Sequence, residues 1–247
     1  MSVSFPFTVE LAEFLERPNR FRILARLHAT GEIVAAHCPN PGRLQELLIP
    51  HRGVTVYLSR ARDGAALRKT AYTLRLVVHP ADGTLISLDT ALPNMLVWAA
   101  LQARRLQPFA ALTDLRCEVN LPAAPGADHR SRCDFVGQEP NGRRCWIEVK
   151  SVSLVEDGVA LFPDAVTARG RRHLLELAER AQQGERAAAV FIVQRPDARQ
   201  VRAHQGADPA FAVALGAAAS AGVELHAWTT TITLTGATLD QAIPMLP

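Results

Sequence analysis

Hydrophobic and polar residues alternate along the first 90 residues of the chain, and this period of two predicts a series of short β-strands. Turns rich in glycine, proline and aspartate separate the strands. A short helix over 42–48 is predicted to interrupt the series. The predicted strands are 21–28, 32–38, 54–59, 71–78 and 84–88. Five strands in so short a segment favour a small barrel over residues 1–88, similar to the barrels that bind oligonucleotides and oligosaccharides (OB folds).

Beyond residue 90 the pattern changes to helices that alternate with strands. The predicted helices are 93–106, about 168–183 with Thr167 as its cap, and a third from 208–209 to 222; the predicted strands are 116–121, the two arms of a hairpin within 131–153, 187–195 and 223–230. This order is typical of an α/β sandwich. We therefore expect a second domain over residues 89–247 and a mixed α/β protein.

The hairpin carries charged residues inside two apolar strands, where an unpaired charge costs several kcal/mol. Its turn, 139–143, reads Glu-Pro-Asn-Gly-Arg, which predicts a three-residue loop closed by the first and last of these residues. The resulting register places Asp134 opposite Glu148 and Arg132 opposite Lys150. Because side chains alternate with a period of two, all four would lie on one face of the hairpin.

Two adjacent carboxylates repel each other, and a divalent cation bound by both removes that penalty. The hairpin therefore predicts a site for Mg²⁺ or Mn²⁺ with Asp134 and Glu148 as ligands and the carbonyl of Val149 as a third. Lys150 would then face a phosphate or an attacking water, an arrangement typical of metal-assisted phosphodiester hydrolysis. The alternative is an ion-paired ladder of the four charged residues with a purely structural role.

The overall composition is that of a globular protein, with 48% hydrophobic and 21% charged residues and a net charge of +3. The charge is uneven, because residues 1–85 carry 11 basic and 7 acidic residues and residues 86–247 carry 16 and 17. The basic first part is consistent with an anionic partner, and an ordinary solvated surface explains it equally well. Only two of the 27 basic residues, Lys69 and Lys150, are lysines, which hints that a compact ammonium is needed in the hairpin.

The chain shows no run of 18 apolar residues and no basic, apolar leader, so we expect a cytoplasmic protein without a membrane span. None of the four cysteines lies in a CxxC pair, which argues against a zinc site, and the lack of a secretory signal argues for reduced thiols.

Three stretches, 37–48 (HCPNPGRLQELL), 132–135 (RCDF) and 147–177 (beginning IEVKSVSL), resemble the sugar fermentation stimulation protein A family. The resemblance covers nearly the whole chain. It implies an N-terminal OB-like domain, a C-terminal domain that resembles the PD-(D/E)XK nucleases, and binding to DNA, single- or double-stranded. The sequence departs from the family where CPNPG replaces the more usual CPNTG, so any role of the missing hydroxyl is in doubt.

The resemblance also implies roles for single residues. Asp134 and Glu148 take the places of the nuclease metal ligands, and Lys150 takes that of the catalytic lysine. Glu118 matches the family's acidic strand position, and Gln194 lies where related nucleases carry a glutamine. All five are therefore candidate catalytic residues.

The predicted helix after the hairpin supplies two further catalytic candidates. Arg169 and His173 are separated by four positions, so they share a helix face that could point at the site. Asp164 is either a site residue or a turn residue. In the first domain the candidates for nucleic-acid binding, which could equally be surface arginines or a core aromatic, are Arg17, Arg20, Phe21, Arg43, Arg60, Arg62, Arg68 and Lys69.

Two functions follow from these expectations. The first is a DNA-binding protein with a Mg²⁺- or Mn²⁺-dependent, nuclease-like centre that hydrolyses phosphodiester bonds. The alternative is a non-catalytic, DNA-binding transcriptional regulator of sugar (maltose) metabolism. The oligomeric state is open, a dimer included.

Overall fold

The computed structural model of the protein describes residues 1–61, 70–122 and 131–247. It is a mixed α/β structure, as predicted. In chain order the elements are β1 (Ser2–Ser4), β2 (Glu10–Asn19), β3 (Arg22–Leu27), β4 (Ile33–His37), β5 (Thr55–Arg60), β6 (Tyr72–Val78), β7 (Leu85–Ser87), α1 (Leu92–Gln102), β8 (Thr113–Asn120), β9 (Arg132–Gln138), β10 (Arg144–Val152), β11 (Val155–Glu156), β12 (Val159–Phe162), α2 (Ala168–Gln182), β13 (Arg186–Val193), β14 (Gln200–Ala203), α3 (Pro209–Ser220), β15 (Glu224–Ile232), β16 (Gly236–Ile243) and β17 (Met245–Leu246).

The first unit is a β-barrel that confirms the OB-like prediction. Its strands follow the order β4-β3-β2-β5-β6-β7, and pairing of β4 with β6 closes five of them into a ring. Strands β3 and β4 bury alternate side chains, and the buried side chains of the barrel strands form one apolar core. The first barrel strand, β2, was not predicted, and strand β1 lies outside the barrel because it pairs with β16.

The predicted helix over 42–48 is wrong. Leu44 has a φ of +52°, outside the helical range, and its carbonyl accepts only the amides of Leu47 and Leu48 in a single turn. These three leucines are buried in the barrel core, so packing rather than helix propensity determines the segment.

The second unit is a seven-stranded sheet between helices. The strand order is β1-β16-β15-β13-β10-β9-β8, with β10, β13 and β15 parallel at its centre. Helix α1 packs on one face, and α2 and α3 pack on the other. Trp146 and Val152 of β10 point to the face that α2 covers, and by alternation Glu148 and Lys150 point the same way.

The helix boundaries follow local signals in the sequence. Thr167 caps α2 by accepting the amide of Gly170 at 3.0 Å, and Gly184 follows the helix end with a φ of +83°. Asp208 caps α3 in the same way, with Pro209 in the first turn. Helix α1 ends at Gln102, four residues earlier than predicted. No helix in the three described ranges is long and apolar enough to cross a membrane.

Candidate metal centre and nucleic-acid interface

The β9–β10 hairpin has the predicted loop and, over its first half, the predicted register. The amide of Glu139 donates to the carbonyl of Arg143 at 2.8 Å, and Gly142 has a φ of +85°. The paired positions run from Gln138–Arg144 to Phe135–Ile147. The predicted pairs Asp134–Glu148 and Arg132–Lys150 are not part of this ladder, so the prediction of one continuous four-residue face is wrong there.

The Asp134 carboxylate lies where the ladder ends. Its Oδ2 accepts the amide of Val149 at 2.7 Å, so a side chain bonds a strand amide just beyond the last ladder pair. Its Oδ1 accepts Nδ2 of Asn94, on α1, at 2.8 Å. Burial raises the pKa of Asp134, and repulsion by Glu148 raises it further. Asp134 is therefore oriented by two donors but keeps an unfavourable carboxylate neighbour.

Asn94 was missed from the sequence. Its signal was a single polar amide in an otherwise apolar stretch, LPNMLVWAAL, of α1. A polar residue in such a stretch commonly has a buried partner, but the sequence does not say which one.

Glu148 is only 4% exposed and forms two strong contacts through one oxygen. Its Oε1 accepts Nζ of Lys150 at 2.6 Å and is also hydrogen-bonded by Nδ1 of His173. Burial alone would raise the pKa of Glu148, but the charge of Lys150 and the His173 hydrogen bond lower it to about 2. Within the described part of the chain, Oε2 of Glu148 has no hydrogen-bond partner.

Arg169 and His173 form the outer part of the same network, as their shared helix face predicted. Nε of Arg169 donates to Nε2 of His173 at 3.4 Å. Because Nε2 accepts, the imidazole proton lies on Nδ1 and is donated to Glu148. A chain of hydrogen bonds therefore runs from the exposed start of α2 to a carboxylate at the centre of the sheet.

Two of the predicted catalytic residues lie outside this network. Glu118 is exposed, and it pairs with Arg132 at 3.1 Å rather than with the carboxylates. Gln194 is fully buried; its Nε2 donates to the carbonyl of Asp89 at 3.0 Å and to Oγ of Ser151 at 3.1 Å. Gln194 therefore ties the sheet to the segment that leads into α1.

The oxygen donors at the hairpin fit a hard divalent cation. Two carboxylates are the usual protein contribution to a magnesium site, in which waters and substrate oxygens complete the shell. The uncompensated repulsion between Asp134 and Glu148 and the available Oε2 agree with such a site. No cluster of three or more His, Cys, Asp or Glu residues suited to a metal occurs among the described residues, so any cation here would rely on two carboxylates.

Arg17 has a structural role in the barrel. Its Nη1 donates to the carbonyls of Gly42 and Arg43 at 2.8 and 2.7 Å, and its Nη2 to those of Arg20 and Asn40 at 2.8 and 3.0 Å. Three of these bonds fasten the β2–β3 hairpin to the turn at 40–43, and the bond to Arg20 lies within the hairpin.

The other candidates for nucleic-acid binding differ in exposure and in whether their side chains already have partners. Arg60 pairs with Glu10 at 2.8 Å and lies over the ring of Tyr72. Phe21 is 54% exposed, and Arg20 and Arg43 are exposed beside it on the β2–β3 hairpin and on the turn after β4. Arg62, Arg68 and Lys69 lie outside the described residues.

Comparisons with known proteins agree on one family. Residues 91–236 match the model described as the sugar fermentation stimulation protein RE domain, and residues 15–88 match that of the SfsA N-terminal OB domain. The sugar fermentation stimulation protein homologue of Moorella thermoacetica is 47% identical over 227 residues, covering 92% of this chain and 91% of its own. That of Dinoroseobacter shibae is 40% identical over 238 residues, covering 96% and 93%.

A solved structure resembles the whole fold. The structure of Pyrococcus furiosus SfsA in complex with Ca²⁺ superposes with a TM-score of 0.82 at 29% sequence identity, and the match covers 100% of this chain and 98% of that one. Both units and their arrangement are therefore shared with that protein.

Proposed function

The chain belongs to the sugar fermentation stimulation protein family, and from that premise and the geometry of the site we propose that it binds DNA and hydrolyses phosphodiester bonds at a divalent-metal centre. The observation that carries the proposal is the grouping of the Asp134 and Glu148 carboxylates with a buried lysine, whose Nζ lies 2.6 Å from Glu148. Family membership with a restriction endonuclease-like domain supports it, as does the Ca²⁺ in the Pyrococcus furiosus complex.

Asp134 and Glu148 would hold the cation, Mg²⁺ or Mn²⁺, with the Val149 carbonyl as the third protein ligand. The bound cation supplies Lewis-acid polarisation of a phosphoryl oxygen and lowers the pKa of a coordinated water. Lys150 places a positive charge beside the same carboxylate, where it stabilises negative charge that develops on the phosphate.

His173 and Arg169 position Glu148 rather than contact the substrate. Their hydrogen bonds fix Oε1 and leave Oε2 available as a ligand. The low pKa of Glu148, about 2, keeps it ionised at neutral pH, so no proton has to leave before a cation binds.

The test is cleavage of supercoiled and single-stranded circular DNA in Mg²⁺ or Mn²⁺ by the wild type, Lys150→Ala, Lys150→Arg and Asp134→Asn. All three variants should lose at least about a hundredfold in rate, because each removes a group that acts on the transition state. The arginine variant should fail too, since a planar guanidinium cannot replace a buried ammonium. Arg202→Ala, on an exposed position of β14, is the control. Equal activity in all five proteins would indicate a contaminating nuclease and contradict the proposal.

A non-catalytic, DNA-binding regulator of sugar metabolism is the second candidate. The observation in its favour is that Lys150 and His173 already compensate Glu148, as a purely structural ion-pair network would. Absence of cleavage by the wild type over many substrates, together with retained DNA binding, would favour this function.

A further inference from the structure

A cavity of about 550 Å³ lies where the barrel meets the segment that leads into α2. The β2–β3 hairpin contributes Arg17 and Arg20, the turn after β4 contributes Pro41 and Arg43, and Val166 closes the side toward α2. Three arginines and two apolar residues therefore line one space. Neither the metal centre nor the barrel core includes this cavity.

The walls of the cavity are fixed before any ligand arrives. Three bonds from Arg17 to backbone carbonyls join the hairpin to the turn. Asp164 joins the turn to the second unit, because its Oδ2 accepts the amide of Arg43 at 2.9 Å. A Cβ atom at Gly42 would lie 2.0 Å from that oxygen, so the close approach requires glycine. A preformed site loses little entropy when it binds.

The cavity carries unused positive charge. The side chains of Arg20 and Arg43 form no hydrogen bond or ion pair with the described residues, whereas Arg17 bonds backbone carbonyls and lies beside the Cys38 thiol. Asp164, whose carboxylate accepts the amide of Arg43, offsets part of this charge. Two free guanidinium groups match the oxygens of a phosphate.

The apolar part of the wall fits a base. Val166 is 67% exposed and Pro41 lies beside the arginines, so an unpaired base would cover apolar surface that water now contacts. Phe21 follows Arg20 and is 54% exposed, which extends the same surface along the hairpin. A base held inside a duplex cannot enter a space bounded on these sides, whereas a single strand can place one nucleotide in it.

We propose that this cavity binds one unpaired nucleotide of a single-stranded nucleic acid, with its phosphate on Arg20 and Arg43 and its base against Pro41 and Val166. The inference rests on the proposed function, since it names the substrate class of the same protein. The segment 165–166 runs directly into α2, the helix that carries His173.

The experiment is fluorescence anisotropy of a labelled oligothymidylate and of the same strand in a duplex, both in EDTA so that no cleavage occurs. The wild type should bind the single strand at least about tenfold more tightly. The affinity of the double variant Arg20→Ala/Arg43→Ala should fall at least about tenfold for the single strand only. The slope of its log affinity against log salt should fall by about 0.7, because both arginines contact one phosphate. Arg52→Ala, exposed on the same barrel, is the matched control and should stay within about twofold.

Introducing a negative charge into the cavity gives a second, independent variant. Val166→Glu should weaken single-strand binding because it places a carboxylate in the cavity, whereas Val213→Glu, at a position that is 74% exposed on α3, should not. Both residues are exposed, so neither change threatens folding.

The outcomes separate the two proposals. A wild type that binds neither strand nor duplex at low salt contradicts the proposed function and, with it, the cavity. Equal loss of affinity for strand and duplex, or no loss in either cavity variant, overturns the cavity alone.

Discussion

Replacing Glu148 with glutamine tests whether the buried ion pair stabilises the fold. The pKa of Glu148 is about 2 in the folded protein against an ordinary 4.5, a difference that corresponds to about 3 kcal/mol. Because the pKa is lowered, this stabilisation is present above pH 4.5 and is lost as the pH falls toward 2. The glutamine amide also leaves the Lys150 ammonium buried without its carboxylate, and breaking such a pair costs about 3–5 kcal/mol.

The assay is urea unfolding in EDTA at several pH values from 7 to 3. Glu148→Gln should be about 3–5 kcal/mol less stable than the wild type at pH 7, and the gap should narrow once the pH falls below 4.5. Glu118→Gln is the matched control, because that carboxylate is 56% exposed and pairs only with an exposed arginine. It should change stability by no more than about 0.5 kcal/mol at any pH.

A double variant separates the effect of losing the ion pair from the effect of leaving the Lys150 ammonium buried without a partner. Glu148→Gln/Lys150→Met removes both charges and should recover much of the stability that the single variant loses, since the unpaired ammonium is gone. A gap that stays constant from pH 7 to 3, or a double variant no more stable than the single one, would refute this reasoning.

Three further predictions concern the surroundings of Glu148. Asp134→Asn should raise the melting temperature in EDTA by about 2–4 °C, because it removes a repelling carboxylate. It should also abolish the increase in melting temperature that Ca²⁺ or Mn²⁺ causes in the wild type, and differential scanning fluorimetry measures both effects. His173→Ala should weaken Mn²⁺ binding by about 10–100-fold in calorimetric titration, whereas Arg172→Ala, on the same helix, should leave it unchanged. Asp208→Ala should cost about 1–3 kcal/mol in urea unfolding, because its carboxylate accepts amides that cap α3 and start α2.

The hairpin could be predicted well because its information is local. Pro140, Asn141 and Gly142 specify one loop, the loop sets the register, and alternation then puts Glu148 and Lys150 on the same face. The same holds for the caps of α2 and α3, where a single side chain decides where the helix begins.

The contacts between residues far apart in the sequence could not be predicted. The ladder ends at Phe135–Ile147, where Asp134 takes the amide of Val149 and its other oxygen is held by Asn94, 40 positions away. No local pattern specifies such a partner. Likewise β2 was overlooked because glutamate, arginine and proline interrupt its alternation, although its buried side chains pack in the barrel core.

The charges at the metal centre suggest why a lysine and two carboxylates occur together. The formal charges of Asp134, Glu148 and Lys150 sum to −1 when all three are ionised. One negative charge therefore stays unpaired, and the site attracts a cation. A divalent cation would change the sum to +1, and one phosphodiester would then bring it to zero. A cation held by Asp134 and Glu148 would supply the positive charge that a phosphodiester needs, and Lys150, whose Nζ lies 2.6 Å from Glu148, would add to it.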